Sequence, residues 1–234
     1  MKSKINLIIL AAGNSRRFGN NKLLADICGT PLYRCVLGSV EEARERLVKE
    51  DIDCNIITVT QYNKIAKEAS KLGHYVAINQ RPELGISYSI RLGIETCLKS
   101  GTNNKRKILK PVNLKNSARK YKANIMAKRI NKKEGDMFIV ADQPFLTGQS
   151  IYKLAKEFLI NHKPMGGISY NGKIGNPCIF HISYRQKLLA LKGDEGGKKI
   201  LIKKPENYFM VECSGEKELS DIDYVEDLDE ILRE

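Results

Sequence analysis

Apolar and polar positions follow one another in blocks along the chain. KINLIILAA, from Lys4 to Ala12, is apolar from Ile5 onward except at Asn6 and stops at Gly13. Such a run reads as a strand buried on both faces. Leu32, Val36, Leu37, Val40 and Leu47 recur at helical spacing and predict an amphipathic helix. Thr30 is then the expected N-cap, with Pro31 at the first helical position. The same reading predicts strands at Asn55–Thr60, His74–Asn79 and Asp136–Ala141. It predicts helices at Asn63–Leu72, Ser87–Leu98 and Gln149–Ile160. Short strands are expected near Gly167–Tyr170 and Cys178–His181, then two short helices, a strand at Asn207–Glu212 and a helix from Val225. Strand and helix alternate through the first 160 residues or so. That order predicts an α/β protein in three layers, with a mostly parallel central sheet and helices on both faces. Ligands of such sheets bind beyond the carboxyl ends of the strands. Gly13 and the Asp142-Gln143-Pro144 turn both fall there.

The charge pattern changes this picture at one place. The chain of 234 residues carries a formal charge of +13. Between Lys99 and Glu134 lie 13 Lys or Arg and one acid, and the remainder carries only +1. We therefore expect residues 1–234 to form one domain with a basic insertion at 99–134. The insertion reads as a surface loop with a marginal helix near Ala118–Ile130, or as an anion-attracting flap. Nucleic acid is not an expected partner, because the basic stretch has no aromatic platform beyond Tyr121. No apolar run approaches the ~20 residues of a membrane-spanning helix, and no signal peptide is expected at the N-terminus. The six cysteines form no C-x-x-C pair. They are expected to be reduced, in a cytoplasmic protein. His74, His162 and His181 are not at metal-ligand spacing and read as structural or surface residues.

Chemistry concentrates in LIILAAGNSRRFGNNK, Leu7 to Lys22. A glycine-bearing turn that leaves a buried strand can offer several backbone N–H groups to one anion. Gly13 and Gly19 permit unusual backbone angles and close approach. Arg16 or Arg17 can fork onto a phosphate, and Lys22 adds a mobile point charge. The stretch reads as a triphosphate cradle. It has neither the Walker A spacing nor G-x-G-x-x-G.

Leu10, Ala11, Ala12, Gly13, Ser15, Arg17, Gly19 and Lys22 fit every fixed position of L-A-A-G-x-S-x-R-x-G-x-x-K, so the chain resembles nucleotidyltransferases with a Rossmann-like sheet. Later motifs, in the same order, resemble the molybdenum cofactor cytidylyltransferases. ELGISYSIRLGI (Glu83–Ile94) is similar to G-M-S-x-S-[IL]-x-x-G-[LI], with Ile86 for Met. ADQPFLT (Ala141–Thr147) matches A-D-Q-P-F-[LI] without change. Gly175-Asn176-Pro177 is similar to G-[HQN]-P. GDEGGKKIL departs from G-D-x-G-A-R-x-[LI]-L at Gly197 and Lys198, and DIDYVEDL departs from D-I-D-T-P-E-D-L at Tyr224 and Val225. The resemblance covers almost the whole chain except 99–134.

The resemblance implies a reaction and its residues. A terminal phosphate of a molybdopterin cofactor would attack the α-phosphate of CTP and release pyrophosphate, with Mg²⁺ as cofactor. Leu10, Ala11, Ala12, Gly13, Ser15, Arg17 and Lys22 would hold the nucleotide, with Gly85, Ser87 and Ser89 on its base or ribose. Arg17, Lys22 and Asp142 are the expected catalytic residues. Asp142 is the expected Mg²⁺ ligand and Asp223 a second ligand or a helix cap. Gly175, Asn176, Pro177, Asp194 and Lys198 are expected on the acceptor side. Ala12, where the guanylyl branch has Gly, favours a pyrimidine by crowding the space beneath a purine. A molybdenum hydroxylase would receive the product. Two alternatives stay open: transfer to another phosphorylated acceptor such as a sugar or polyol phosphate, and a non-catalytic homologue that binds nucleotide or cofactor. Asp227, Asp229 and Glu230 read as a solvated helix face. Gly166-Gly167 reads as a bulge or a substrate contact.

Overall fold

The computed structural model describes residues 2–15, 18–19, 21–100, 108–109, 133–224 and 226–227. The expected helix at Ala118–Ile130, Arg16, Arg17 and most of the basic segment lie outside the described residues.

The first apolar run forms β1 (Lys4–Ala11). A short antiparallel pair follows, β2 (Asp26–Ile27) and β3 (Thr30–Pro31). Helix α1 (Leu32–Lys49) leads to β4 (Asp53–Thr60), α2 (Asn63–Lys71) and β5 (Tyr75–Ile78). Then come α3 (Ile86–Ser100), β6 (Ile108–Leu109), β7 (Glu134–Val140) and α4 (Gly148–Ile160). The chain continues through β8 (Met165–Tyr170), β9 (Lys173–His181), α5 (Arg185–Leu189), α6 (Lys198–Ile202) and β10 (Tyr208–Glu212).

Among the described residues, eight strands form the main sheet in the order β10-β8-β9-β7-β1-β4-β5-β6. β9 runs antiparallel to both neighbours, and the other strands run parallel. β1 lies between β4 and β7, in register from Lys4 opposite Asp53 and Glu134 up to Leu10 opposite Val59 and Val140. Its side chains alternate between two cores, as the pleat requires. Ile5, Leu7, Ile9 and Ala11 join Val36, Val40 and Leu47 of α1 and Ile151 and Leu154 of α4. Ile8 and Leu10 join Ile90 and Ile94 of α3 and Leu188 of α5. The three layers expected from strand–helix alternation are therefore present.

The structure departs from the sequence expectations at several points. Thr30 and Pro31 are not a helix cap and first turn. They pair with Asp26 and Ile27 as β3, and α1 begins at Leu32 without a side-chain cap. The extended backbone at Pro31 suits a strand end as well as a helix entry. Ile108–Leu109, expected within a surface loop, adds a parallel edge strand beside Val76 and Ala77. Two apolar residues suffice there, because an edge strand needs partners on one side only. The β8–β9 register shifts between Gly167 and Ile168, so the Gly166-Gly167 pair adjoins a bulge. All six cysteines are free, with Cys97, Cys178 and Cys213 buried.

Two buried polar networks stabilise the sheet away from the carboxyl ends of the strands. The Arg185 guanidinium donates to both carboxylate oxygens of Asp136, which also accepts from Asn6 Nδ2 at 2.8 Å. Asp136 and Asn6 are wholly buried, so each requires these partners. His74, 1% exposed, bridges α1 and β4: Nε2 lies 2.7 Å from Glu41 Oε1 and Nδ1 lies 2.9 Å from Thr58 Oγ1. A neutral ring protonated on Nε2 satisfies both contacts.

Burial pushes the His74 pKa down, and the opposing pull of Glu41 does not overcome it. A lowered folded value means stability that is complete above the unfolded pKa of about 6.5 and is lost as pH falls through the folded value. Urea midpoints measured between pH 7.5 and 5 should fall with acidity, and His74→Gln should flatten that fall. An equal slope in the variant would remove His74 as its source.

Candidate active site

The carboxyl ends of β1, β7 and β5 open onto one cleft of about 290 Å³. Leu10, Ala12, Gly13, Asn14 and Ser15 line it from the β1 side, and Val140 and Asp142 from the β7 side. Pro82, Glu83, Gly85, Ile86 and Ser89 close it from the turn after β5 and the first turns of α3, where Asp194 joins them. Lys22 lies on the floor.

Lys22 holds the centre. Its Nζ is 2.8 Å from Asp142 Oδ2 and 2.9 Å from Asp223 Oδ1, and its side chain is 10% exposed. Burial disfavours the ammonium, but the two carboxylates outweigh it and its pKa is raised. Local backbone contacts set the position of each group. Lys22 starts a single 3₁₀ turn, where Asn21 Oδ1 accepts from the Leu23 N–H at 3.1 Å. The Lys22 N–H donates to Ser15 Oγ at 3.1 Å, which closes the loop back onto its own start. Asp223 is brought in by Ile222, whose N–H donates to the Asp142 carbonyl at 3.0 Å. Asp227, expected on a solvated face, instead accepts from the N–H groups of Asp223 and Tyr224 at 2.7 and 2.8 Å. It caps that turn, a role open to an aspartate near a helix start.

Gly13 and Gly19 differ in what they contribute. Gly19 has φ +77°, a left-handed angle that favours glycine. Gly13 is not left-handed, and a Cβ on it would meet no protein atom within 4 Å. Of the two properties expected for Gly13, only room for close approach remains. Ser15 itself takes a left-handed φ of 48°. The loop is tied from outside by the end of β4. Gln61 Nε2 donates to the Ala12 carbonyl at 3.1 Å and to Asn14 Oδ1 at 3.0 Å, and the Tyr62 hydroxyl donates to the Gly13 carbonyl at 2.6 Å. Sequence reading passed over Gln61 and Tyr62, since a polar pair after a strand reads as an ordinary turn.

The other expected residues divide into groups. Ala11 is packed in the α1 core and does not line the cleft. Ser89 lines the cleft and accepts from Asn79 Nδ2 at 3.1 Å. Ser87 is buried, and its N–H donates to the Gly193 carbonyl at 3.0 Å. That bond draws the Gly193-Asp194 loop against Gly85. Asp194, expected on the acceptor side, thus shares the cleft with the Gly13 loop. Gly175, Asn176 and Pro177 lie in β9 and do not line the cleft, and Lys198 donates to the Ile174 carbonyl at the start of α6. Arg17 is outside the described residues. Asp221, the first residue of the DIDYVEDL motif, is a third carboxylate near Asp142 and Asp223, to which the resemblance assigned no role. It keeps an exposed surface, yet burial of its carboxyl and the charges of Asp142 and Asp223 push its pKa up to about 6.

Among the described residues no group of three or more His, Cys, Asp or Glu side chains is disposed to hold a metal. Asp142 and Asp223, however, already converge on one cation, the Lys22 ammonium. Mg²⁺ needs only one or two carboxylates where phosphates and water complete its shell. The pair fits such an ion bound together with a triphosphate.

This architecture, a mostly parallel sheet with a glycine-bearing loop and paired carboxylates at its carboxyl edge, is that of a nucleotidyltransferase domain. The sequence matches the MobA-like NTP transferase domain over residues 7–207, and the chain belongs to that family. Comparison with curated protein sequences gave no match. Similar solved structures include a nucleotidyl transferase from Methanothermobacter thermautotroptrophicus, 17% identical with a TM-score of 0.66 over 98% of each chain. A manganese complex of Rv0371c from Mycobacterium tuberculosis H37Rv is 15% identical, with a TM-score of 0.56 over 100% of each chain. Molybdopterin-guanine dinucleotide biosynthesis protein A from Archaeoglobus fulgidus is 15% identical, with a TM-score of 0.57 over 97% of this chain and 96% of that one. At these identities the likeness concerns the fold. Among the described residues no helix is long and apolar enough to cross a membrane.

Two glycines should separate stability from binding. Gly85 has φ +79°, and a Cβ there would fall 2.4 Å from the Gly193 carbonyl carbon. Gly85→Ala should cost roughly 1–3 kcal/mol, from strain and from displacing that backbone. Gly13→Ala should leave stability within about 0.5 kcal/mol, as expected of a site without a clash, while weakening nucleotide binding. Denaturant midpoints and nucleotide titrations of both variants check this. A Gly13→Ala protein that binds nucleotide normally would take the phosphates away from that loop.

Proposed function

We propose that the protein transfers CMP from CTP to the terminal phosphate of a molybdopterin-type cofactor. The observation that carries the transferase part is the meeting of Asp142, Asp223 and Lys22 in the cleft beside the Gly13 loop. The cytidylyl and molybdopterin parts rest on the ordered motifs and on Ala12 in the first of them. Ala12 is 5% exposed and lines the cleft, where its methyl narrows the floor offered to a base.

In this reading an oxygen of the acceptor's terminal phosphate attacks the α-phosphorus of CTP. The bond from that phosphorus to the bridging oxygen breaks, and pyrophosphate leaves with the electron pair. Positioning and charge neutralisation carry such a transfer, and no nucleophilic side chain is required. Asp142 and Asp223 would hold a divalent cation, which offsets triphosphate charge when bound. Lys22 binds the phosphates, and Arg17 stabilises charge as pyrophosphate departs. The N–H groups of the Gly13 loop orient the nucleotide, and Gln61 and Tyr62 keep that loop in place. Asp194 and Ser89 face the nucleotide from the opposite wall.

Pyrophosphate release is the direct test, with CTP, Mg²⁺ and a molybdopterin acceptor. Release with a sugar or polyol phosphate instead would keep the transferase and replace the acceptor. Asp142→Asn should lower kcat at least about a hundredfold, the scale of losing one preorganised electrostatic contact, while the protein stays folded. CTP should also raise the thermal midpoint more than GTP at equal concentration. A ligand at a hundredfold excess over its Kd adds about 2.7 kcal/mol. Equal or greater stabilisation by GTP would overturn the cytidylyl assignment.

A further inference from the structure

The Lys22 ammonium sits between the two carboxylates that would hold a metal ion. Its nitrogen is 2.8 Å from Asp142 and 2.9 Å from Asp223. Mg²⁺ binds oxygen at about 2.0–2.1 Å, so an ion held by both carboxylates would overlap that nitrogen. One of the two cations must leave.

The surroundings decide when. The Lys22 backbone is fixed by Ser15 Oγ and by the Asn21-capped turn. Its head is carried on a flexible four-carbon stem and can move without the backbone. Its side chain is only 10% exposed, so an ammonium pushed off the carboxylates would be left in a poorly solvated place. That penalty opposes a metal arriving alone. A triphosphate removes the penalty, because it brings several negative charges into the cleft that the Lys22 floor and the Gly13–Ser15 loop share. The ammonium then has a second anion to pair with, and the carboxylates are released to the metal.

We propose that Lys22 is a built-in competitor for the metal site, so that a divalent cation binds tightly only together with the nucleoside triphosphate. This rests on the assignment of Asp142 and Asp223 as metal ligands. The coupling is reciprocal: metal must tighten nucleotide binding by the same factor that nucleotide tightens metal binding.

Mn²⁺ is the probe, with free ion read by electron paramagnetic resonance and binding heat by calorimetry, each with and without CTP and without acceptor. In the wild type, CTP should tighten Mn²⁺ binding by about tenfold or more, within the usual range of coupling between sites. Lys22→Met should bind Mn²⁺ without CTP tighter than wild type by a similar factor, and CTP should tighten it further by a smaller factor than in wild type. Lys22→Arg keeps the charge and should bind Mn²⁺ weakly without CTP. Circular dichroism verifies folding, and Lys22→Gln replaces the Met variant if that one fails to fold. Equal Mn²⁺ affinity in wild type and Lys22→Met, or a wild-type affinity unmoved by CTP, overturns the competition and leaves the metal site standing. Absence of Mn²⁺ binding by every protein, even with CTP, overturns the metal assignment and the competition with it.

Discussion

Strand β1 is the constraint on which the rest of the molecule depends. It is hydrogen-bonded on both edges, to β4 and β7, and packed on both faces. A strand so enclosed can release its chain to solvent only at its ends. At the amino end it adjoins the buried Asn6–Asp136–Arg185 network, which ties β1 and β7 to α5. At the carboxyl end it releases Ala12 and Gly13 into the cleft. The parallel neighbour β7 ends beside it and delivers Asp142 there. The site is therefore a consequence of strand direction before it is a matter of particular side chains.

Charge then assembles the site across the chain. Lys22, Asp142 and Asp223 are far apart in sequence and meet through one ammonium. The backbone bond from Ile222 to the Asp142 carbonyl makes that meeting repeatable, since it needs no side chain. Gln61 and Tyr62 play the same part for the Gly13 loop from the opposite side. Two separate segments thus support one small cleft, each through hydrogen bonds to main-chain carbonyls. A loop whose carbonyls are already paired keeps its shape in the free protein, which lowers the ordering cost when an anion binds.

The two ends of the sheet have different electrostatic tasks. The Arg185–Asp136 pair is buried and closed, so it contributes to specifying one packing of the core. The Lys22 cluster is also paired, but it lines a cleft and its carboxylates are 25% and 44% exposed. Exposure makes its partners exchangeable. That difference in solvent access separates a structural ion pair from one able to change hands during a reaction.

What was legible in the sequence was local. The run from Ile5 to Ala12 could only be a buried strand, because so many apolar side chains need cover on two faces. The alternation of such runs with helical spacing determined the layered parallel sheet, and the Leu10–Lys22 motif marked a loop that lines the cleft. The short-range readings failed where two conformations share one backbone angle, as at Thr30-Pro31, or where two residues complete an edge, as at Ile108-Leu109. Only the tertiary structure decided which distant groups meet. Asp194 entered the cleft because Gly85 has no side chain to keep Gly193 away. Gln61 and Tyr62 tied the Gly13 loop through bonds to main-chain carbonyls that leave no pattern in composition or spacing. Periodicity records whether a residue is buried, but the partner it finds depends on how strands are ordered across the sheet, and that order is set by packing of the whole chain.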